Sequence, residues 1–410
     1  VGPPGYGGGL RGTQILAEGA GSVVDLSGLT DFLDSGNRPS STLQFKDGGQ
    51  VLAGNLTTII GLSLRAGPGQ VLSLPSLRSF EHSAYAGAGD VYLSAEGPGS
   101  VLDLPALTTI TGPNGDWENL YIQALGGGRV NLRAVTQIVG PPGYGGGLRG
   151  TQILADGTGS IVDLSALSDF TDTPGKGASS LKADHGGALT LSNPTTLSGV
   201  DVTVLASGTI TAGTLILDST STLSGSGTMT LNLVSSGRIG VGTSPGILTL
   251  NGNYTQTSTG ILNIELGGTA LGEQFDQLNI TGGVTLAGAL AVTRINGFTP
   301  APADAFRILT FGSRSGDFLT RSGLDLGNGS TLGAFYDATG LTLSLTAPGG
   351  SPHAGDLDPT FGQTGKVTTG IGNADDRGRA VAVQPDGRIV IAGESFNGSN
   401  NDIAVARYNV

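Results

Sequence analysis

The sequence has no cysteine and only one methionine, one tryptophan and three histidines, and just 13% of its 410 residues are charged. Without cysteine there is neither a disulfide nor a thiolate metal site, and the redox compartment is left open, because stacked repeats build a core without disulfides. Positive charge is also scarce. Twenty Lys and Arg stand against 32 Asp and Glu, a net charge of −12. Nucleic-acid binding needs a basic footprint, so it is excluded, and docking on an anionic membrane is disfavoured. No apolar run is long enough for a transmembrane helix. Helical spacing is missing too: every stretch of helix length is broken by Gly, Pro or a Ser/Thr/Asn cluster.

What is abundant is glycine, at 73 residues. It lacks the period of three that collagen requires. Between the glycines lie short runs of alternating character, such as Val101-Leu-Asp-Leu104 and Leu341-Thr-Leu-Ser-Leu345. Period-two alternation means strand. The composition is also too apolar and too weakly charged for disorder.

Internal repeats organise the chain. Residues 1–32 recur at 139–170, and Val1 to Ala17 match Val139 to Ala155 without a difference. A shorter unit lies inside: Ser22–Phe32 aligns with Gln70–Phe80, Ser100–Ile110, Arg129–Ile138 and Ser160–Phe170. A strand precedes each copy, as in Val91-Tyr-Leu-Ser-Ala95, and a Gly-rich corner joins the two. The unit takes about 20 residues with a minimal loop and about 30 with a long one, the pattern of a solenoid coil with variable length at one corner. About seven coils at the inter-strand spacing of ~4.8 Å would make a rod of roughly 30–35 Å. The expected fold is all-β: a parallel β-helix over residues 1–204, a second solenoid texture over 205–348, a linker at 349–356 and a small β module at 357–410. The chain begins and ends inside motifs, so it reads as a piece of a longer protein, and a missing signal peptide carries no information.

Two resemblances add to this reading. The run Gly237-Arg-Ile-Gly-Val-Gly-Thr-Ser-Pro-Gly-Ile-Leu-Thr-Leu-Asn-Gly-Asn-Tyr-Thr-Gln256, followed by Leu262-Asn-Ile-Glu-Leu-Gly-Gly268 and Phe275-Asp-Gln-Leu-Asn-Ile-Thr-Gly282, resembles the distal β-helix of autotransporter-type bacterial surface passengers. That implies a right-handed coil and an extracellular or cell-surface location; no membrane barrel follows in these residues. Leu357-Asp-Pro-Thr-Phe-Gly362, Val383-Gln-Pro-Asp-Gly-Arg-Ile-Val-Ile-Ala-Gly393 and Asp402-Ile-Ala-Val-Ala-Arg-Tyr-Asn409 resemble one delta-60 repeat. Such repeats imply a propeller blade in a bacterial extracellular protein, with Pro385-Asp-Gly387 as its hairpin turn.

Few residues point to chemistry. Gly7-x-Gly9-x-x-Gly12 and Gly145-x-Gly147-x-x-Gly150 spell the dinucleotide fingerprint, but a strand follows where a helix is required, so corner glycines explain them. Asp25, Ser73, Asp103, Asn131 and Asp163 should stack as an outward column. Its carboxylates Asp25, Asp103 and Asp163 are candidate Ca²⁺ ligands, against the simpler reading of a solvated face. The long loops gather Tyr6, His82, Tyr85, Trp117 and Tyr144, aromatic or amphipathic groups suited to glycan or protein contact, or else to packing the loops onto the solenoid. His82, His185 and His353 are far apart in sequence, and the carboxylate pairs Asp31/Asp34 and Asp169/Asp172 are weak evidence for acid–base work. The signature set of pectin-degrading β-helix enzymes does not occur. The expectation is a non-catalytic, cofactor-free, secreted or cell-surface adhesin-like stalk with a glycan or surface-protein ligand. The alternatives are a polysaccharide-active β-helix enzyme and a structural filament that self-associates end to end through open β edges.

Overall fold

The computed structural model describes residues 12–34, 41–82, 89–114, 117–140, 149–172, 179–192, 194–205, 207–327, 329–346, 367–371, 375–384 and 388–408. Among these residues there is no helix, and the chain divides into two compact units, Val1–Leu345 and Thr346–Val410.

The first unit is a parallel β-solenoid with three faces. Thirteen strands, from Gln14–Glu18 to Thr320–Ser322, stack on the first face. Each turn of chain then adds one short strand to a second face and one to a third, as in Val101–Asp103 and Thr109–Thr111. Alternation supplies the interior. Leu43, Leu64, Leu93, Ile122, Ile153 and Leu181 lie in register on the first face and are fully buried. Ile59, Phe80, Ile110, Ile138 and Phe170 form the matching ladder on the third. Such burial removes apolar surface from water at roughly 25 cal/mol per Å².

Coil length varies as the repeats imply. From Leu43 to its partner Leu64 the coil takes 21 residues, and from Ile122 to Ile153 it takes 31. Up to residue 205 the surplus leaves between the third face and the first, whereas beyond it the longer joins 267–276 and 295–304 lie between the first face and the second. The sheets run without interruption through residue 205, where Val202 pairs with Leu223. What changes beyond it is the coil, which shrinks to 16 residues between Leu223 and Ile239, and the interior, which becomes partly polar. The third-face ladder passes from Leu197 through Leu217 and Ser235 to Gln256. Gln256 is buried but satisfied: it accepts from the Tyr254 hydroxyl at 2.8 Å and its amide donates to the carbonyls of Gly260, Ala287 and Ala289. The far end of the solenoid is closed by Gly340–Thr346, which runs antiparallel to Ala305–Thr310, with Phe275 and Phe298 edge-on to Phe306.

Corner glycines follow from stacking. A Cβ on Gly128 would lie 2.1 Å from the Ala95 carbonyl oxygen of the coil below, and one on Gly187 would lie 2.1 Å from that of Ala155. Only a residue without a side chain lets the two coils approach there.

The second unit is a three-stranded antiparallel meander of Asp376–Val383, Ile389–Phe396 and Asn401–Tyr408. Pro385-Asp386-Gly387 lies outside the described residues; the strands flanking it pair antiparallel. The register puts Val381 with Ile391 on one side of the sheet and Val405 with Ala392 on the other. Apolar side chains on both faces suit a sheet held between neighbours, as a propeller blade is.

Candidate functional site: the loop-bearing corner

Up to residue 205 the longer joins between strands all fall at the corner between the third and first faces. Backbone hydrogen bonds between successive coils place Asp34, Gly61, His82, Gly112, Gly140 and Asp172 in one column, each just past a third-face strand. All of them except Gly61, which the strand Leu62–Ala66 follows directly, are hinges that precede a longer join to the first face. Two hinges are clamped identically. The Ser41 hydroxyl donates to Asp34 at 2.5 Å and accepts from the backbone N–H of Thr13. The Ser179 hydroxyl donates to Asp172 at 2.6 Å and accepts from the Thr151 N–H. Each clamp closes a loop at its base and ties it to the coil below. Asp34 and Asp172 are thus buried carboxylates that accept from a serine at the base of a loop.

His82 was expected among the contact residues of the loops, and the structure places it differently. Its ring is fully buried at the hinge, with Nδ1 3.9 Å from the Glu118 carboxylate, which is itself buried. The fully buried Arg149, donating from Nε to the Pro113 carbonyl, belongs to the same hinge region. A ring at this depth packs the base of the loop. The sequence signal was available: aligning the repeats puts His82 in the position of Asp34 and Asp172, which is a coil position.

Trp117 does stand free. It is 73% exposed, on left-handed backbone with φ of 64°, immediately before the buried Glu118. The buried neighbour anchors the backbone while the indole projects from the corner. Tyr6, Tyr85 and Tyr144 lie outside the described residues.

The outward column of the second face forms, but it does not gather carboxylates. Asp103 is opposite Ser73 on one side and Asn131 on the other, and Asn131 separates it from Asp163. Asp25 is opposite Leu52. Asp103 accepts from Ser73 at 3.3 Å and from Asn131 at 3.2 Å, with Arg133 3.6 Å away. Asp25 and Asp163 each cap the backbone N–H two residues ahead. A Ca²⁺ ion needs six to eight oxygens; here it would meet one carboxylate at a time. The first face holds a ladder that sequence reading passed over, in which Tyr92 and Tyr121 stack at 4.9 Å and Arg65 covers Tyr92 at 3.9 Å. These rings face one another and Arg65, so they stabilise the stack rather than offer a flat surface.

Burial of His82 has a consequence for pH. Desolvation pushes its pKa down to about 4, and backbone groups of Gly89 and Asn119, which favour the charged ring, offset only part of this. An unfolded histidine titrates near 6.5. Between these values the unfolded state binds the extra proton, so the contribution of neutral His82 is fully present above about pH 6.5 and is lost as pH falls through about 4. The loss is roughly 3 kcal/mol. Urea denaturation followed from about pH 7 to 4 should show it, and His82→Gln should flatten that part of the profile.

A family model described as "Domain of unknown function (DUF5122) beta-propeller" matches residues 384–410, the part of the C-terminal unit that contains its second and third strands. No curated protein matches the chain. The chain is thus a parallel β-solenoid followed by a small module similar to a β-propeller unit.

Proposed function

We propose that this chain is a non-catalytic, extracellular or cell-surface scaffold whose solenoid presents side loops to a glycan or surface-protein ligand. The observation that carries the reading is Trp117: a large aromatic, 73% exposed, on the corner that carries the longer joins of the first 205 residues. A solvent-facing indole on an anchored backbone offers apolar contact area at low conformational cost, which suits pyranose faces and protein hot spots alike. The fully buried His82 supports a non-catalytic role for this corner, since its ring is withdrawn from any substrate. The resemblance of residues 237–282 to autotransporter-type passengers supports a bacterial surface location.

The test is binding of the full chain to glycan arrays and to intact cells. Trp117→Ala should lower the signal by about tenfold or more, as loss of an aromatic anchor does. Its effect on stability should be small, because the ring packs little. Binding unchanged by this substitution would remove the corner from the site. Release of reducing ends from acidic polysaccharides would turn the reading to an enzyme.

A further inference from the structure

At another corner, between the first and second faces, three ligating side chains converge. Asp156 and Asp184 end the strands Gly150–Asp156 and Ser180–Asp184 and lie directly opposite each other in the parallel register. His185 follows on left-handed backbone, φ 46°. Its Nδ1 is 2.8 Å from Asp156 Oδ1 and 3.4 Å from Asp184 Oδ1. Among the described residues this is the group whose three ligand atoms come within 4.8 Å of one another.

The same corner in other coils is built without such a group. Glu18 is opposite Lys46, and the two form an ion pair at 2.9 Å. At 156 and 184 two carboxylates are stacked one coil apart, where like charges oppose each other. Lys182, at 3.2 Å, engages Asp184 Oδ2. Asp184 Oδ1 and Asp156 Oδ1 both face the imidazole. A first-row cation bonded at about 2.0–2.2 Å to nitrogen and oxygen holds neighbouring ligands roughly 2.9–3.4 Å apart. The separations from Nδ1 are already near that range. An imidazole nitrogen with two carboxylates selects a borderline cation such as Zn²⁺ over Ca²⁺ or Mg²⁺, which prefer all-oxygen shells. The His185 side chain is 69% exposed, so the site is reached from solvent and has room for water ligands.

We propose that Asp156, Asp184 and His185 form a surface site for a borderline divalent cation that clips two successive coils together. The site is separate from the loop-bearing corner and does not depend on its role.

Calorimetric titration of Zn²⁺ into the full chain at about pH 7 tests it. His185→Gly is the informative variant, because left-handed backbone accepts glycine without strain, and Asp156→Asn removes the ligand from the other coil. Each should weaken Zn²⁺ binding by at least about tenfold, and the Zn²⁺-induced rise in melting temperature should vanish with it. His353→Ala, remote in sequence, should leave both intact. Binding of Zn²⁺ unaffected by both site variants, or no binding at millimolar Zn²⁺, would overturn the proposal and leave a hydrogen-bonded His–Asp contact. Equal affinity for Ca²⁺, insensitive to His185→Gly, would overturn it as well.

Discussion

Leu167→Ala should cost about 3 kcal/mol and Leu29→Ala less than about 1 kcal/mol, although the two leucines hold the same place in nearly identical sequence. Leu167 is 0% exposed, because its coil is stacked between those carrying Arg129–Asn131 below and Ala188–Leu191 above. Leu29 is 40% exposed, in the coil at the open edge of the described stack. Truncating Leu167 leaves a cavity between coils that cannot collapse without breaking the ladder. Truncating Leu29 removes a side chain that is already half in water. Because a solenoid's stability is a sum over neighbouring coils, the loss should be local, so site-resolved hydrogen exchange is the right measurement alongside denaturation. Leu167→Ala should speed exchange in the strands Arg129–Asn131, Ile161–Leu164 and Ala188–Leu191. Equal costs for the two variants would mean that local sequence, not stacking, sets the stability.

The second large effect is expected at Gly128. A Cβ there would sit 2.1 Å from the Ala95 carbonyl oxygen, 2.6 Å from its carbon and 2.8 Å from the Ser100 hydroxyl. Two of these are backbone atoms in the adjacent coil, so relief requires the coils to separate. Gly128→Ala should cost about 3–5 kcal/mol, the upper range for overpacking. Gly54 provides the contrast: nothing lies within 4 Å of its Cβ position and its φ is not left-handed. There the same substitution should be neutral, or slightly stabilising through the unfolded state. Paired urea denaturation would separate the two, and a tolerated Gly128→Ala would contradict the close approach of the coils.

Much of this architecture is legible in the linear chain because a solenoid maps sequence period directly onto space. Alternation assigns Leu102 to the interior and Asp103 to the surface, and the spacing of the repeats assigns both to one column with Val130 and Asn131. The variable segments up to residue 205 fall at one corner, as the repeats imply; beyond it the joins 267–276 and 295–304 lengthen a different corner, between the first face and the second, with the strands still stacked. Less legible is the role of a polar residue at a hinge. His82 and Trp117 look alike in sequence, aromatic groups beside variable loops. One fills the interior and the other faces water, because the first is a stacked coil position and the second is not.

The metal-ligand reading shows the same boundary. The column Asp25, Asp103, Asp163 was visible as a period, but Asn131 and Ser73 stand between its charges. The group formed by Asp156, Asp184 and His185 was invisible, because it requires parallel register to bring the last residues of two strands together and a left-handed residue to turn the imidazole back between them. The sequence by itself determined the all-β class, the coil, the inward ladder and the corner that carries the longer joins of the first 205 residues, since these depend on periods of two and of about 20–30 residues. Tertiary structure alone decided which copy of a repeated residue is covered, which glycine admits no side chain and which polar groups meet, since each depends on the neighbouring coil rather than on the residue's own segment.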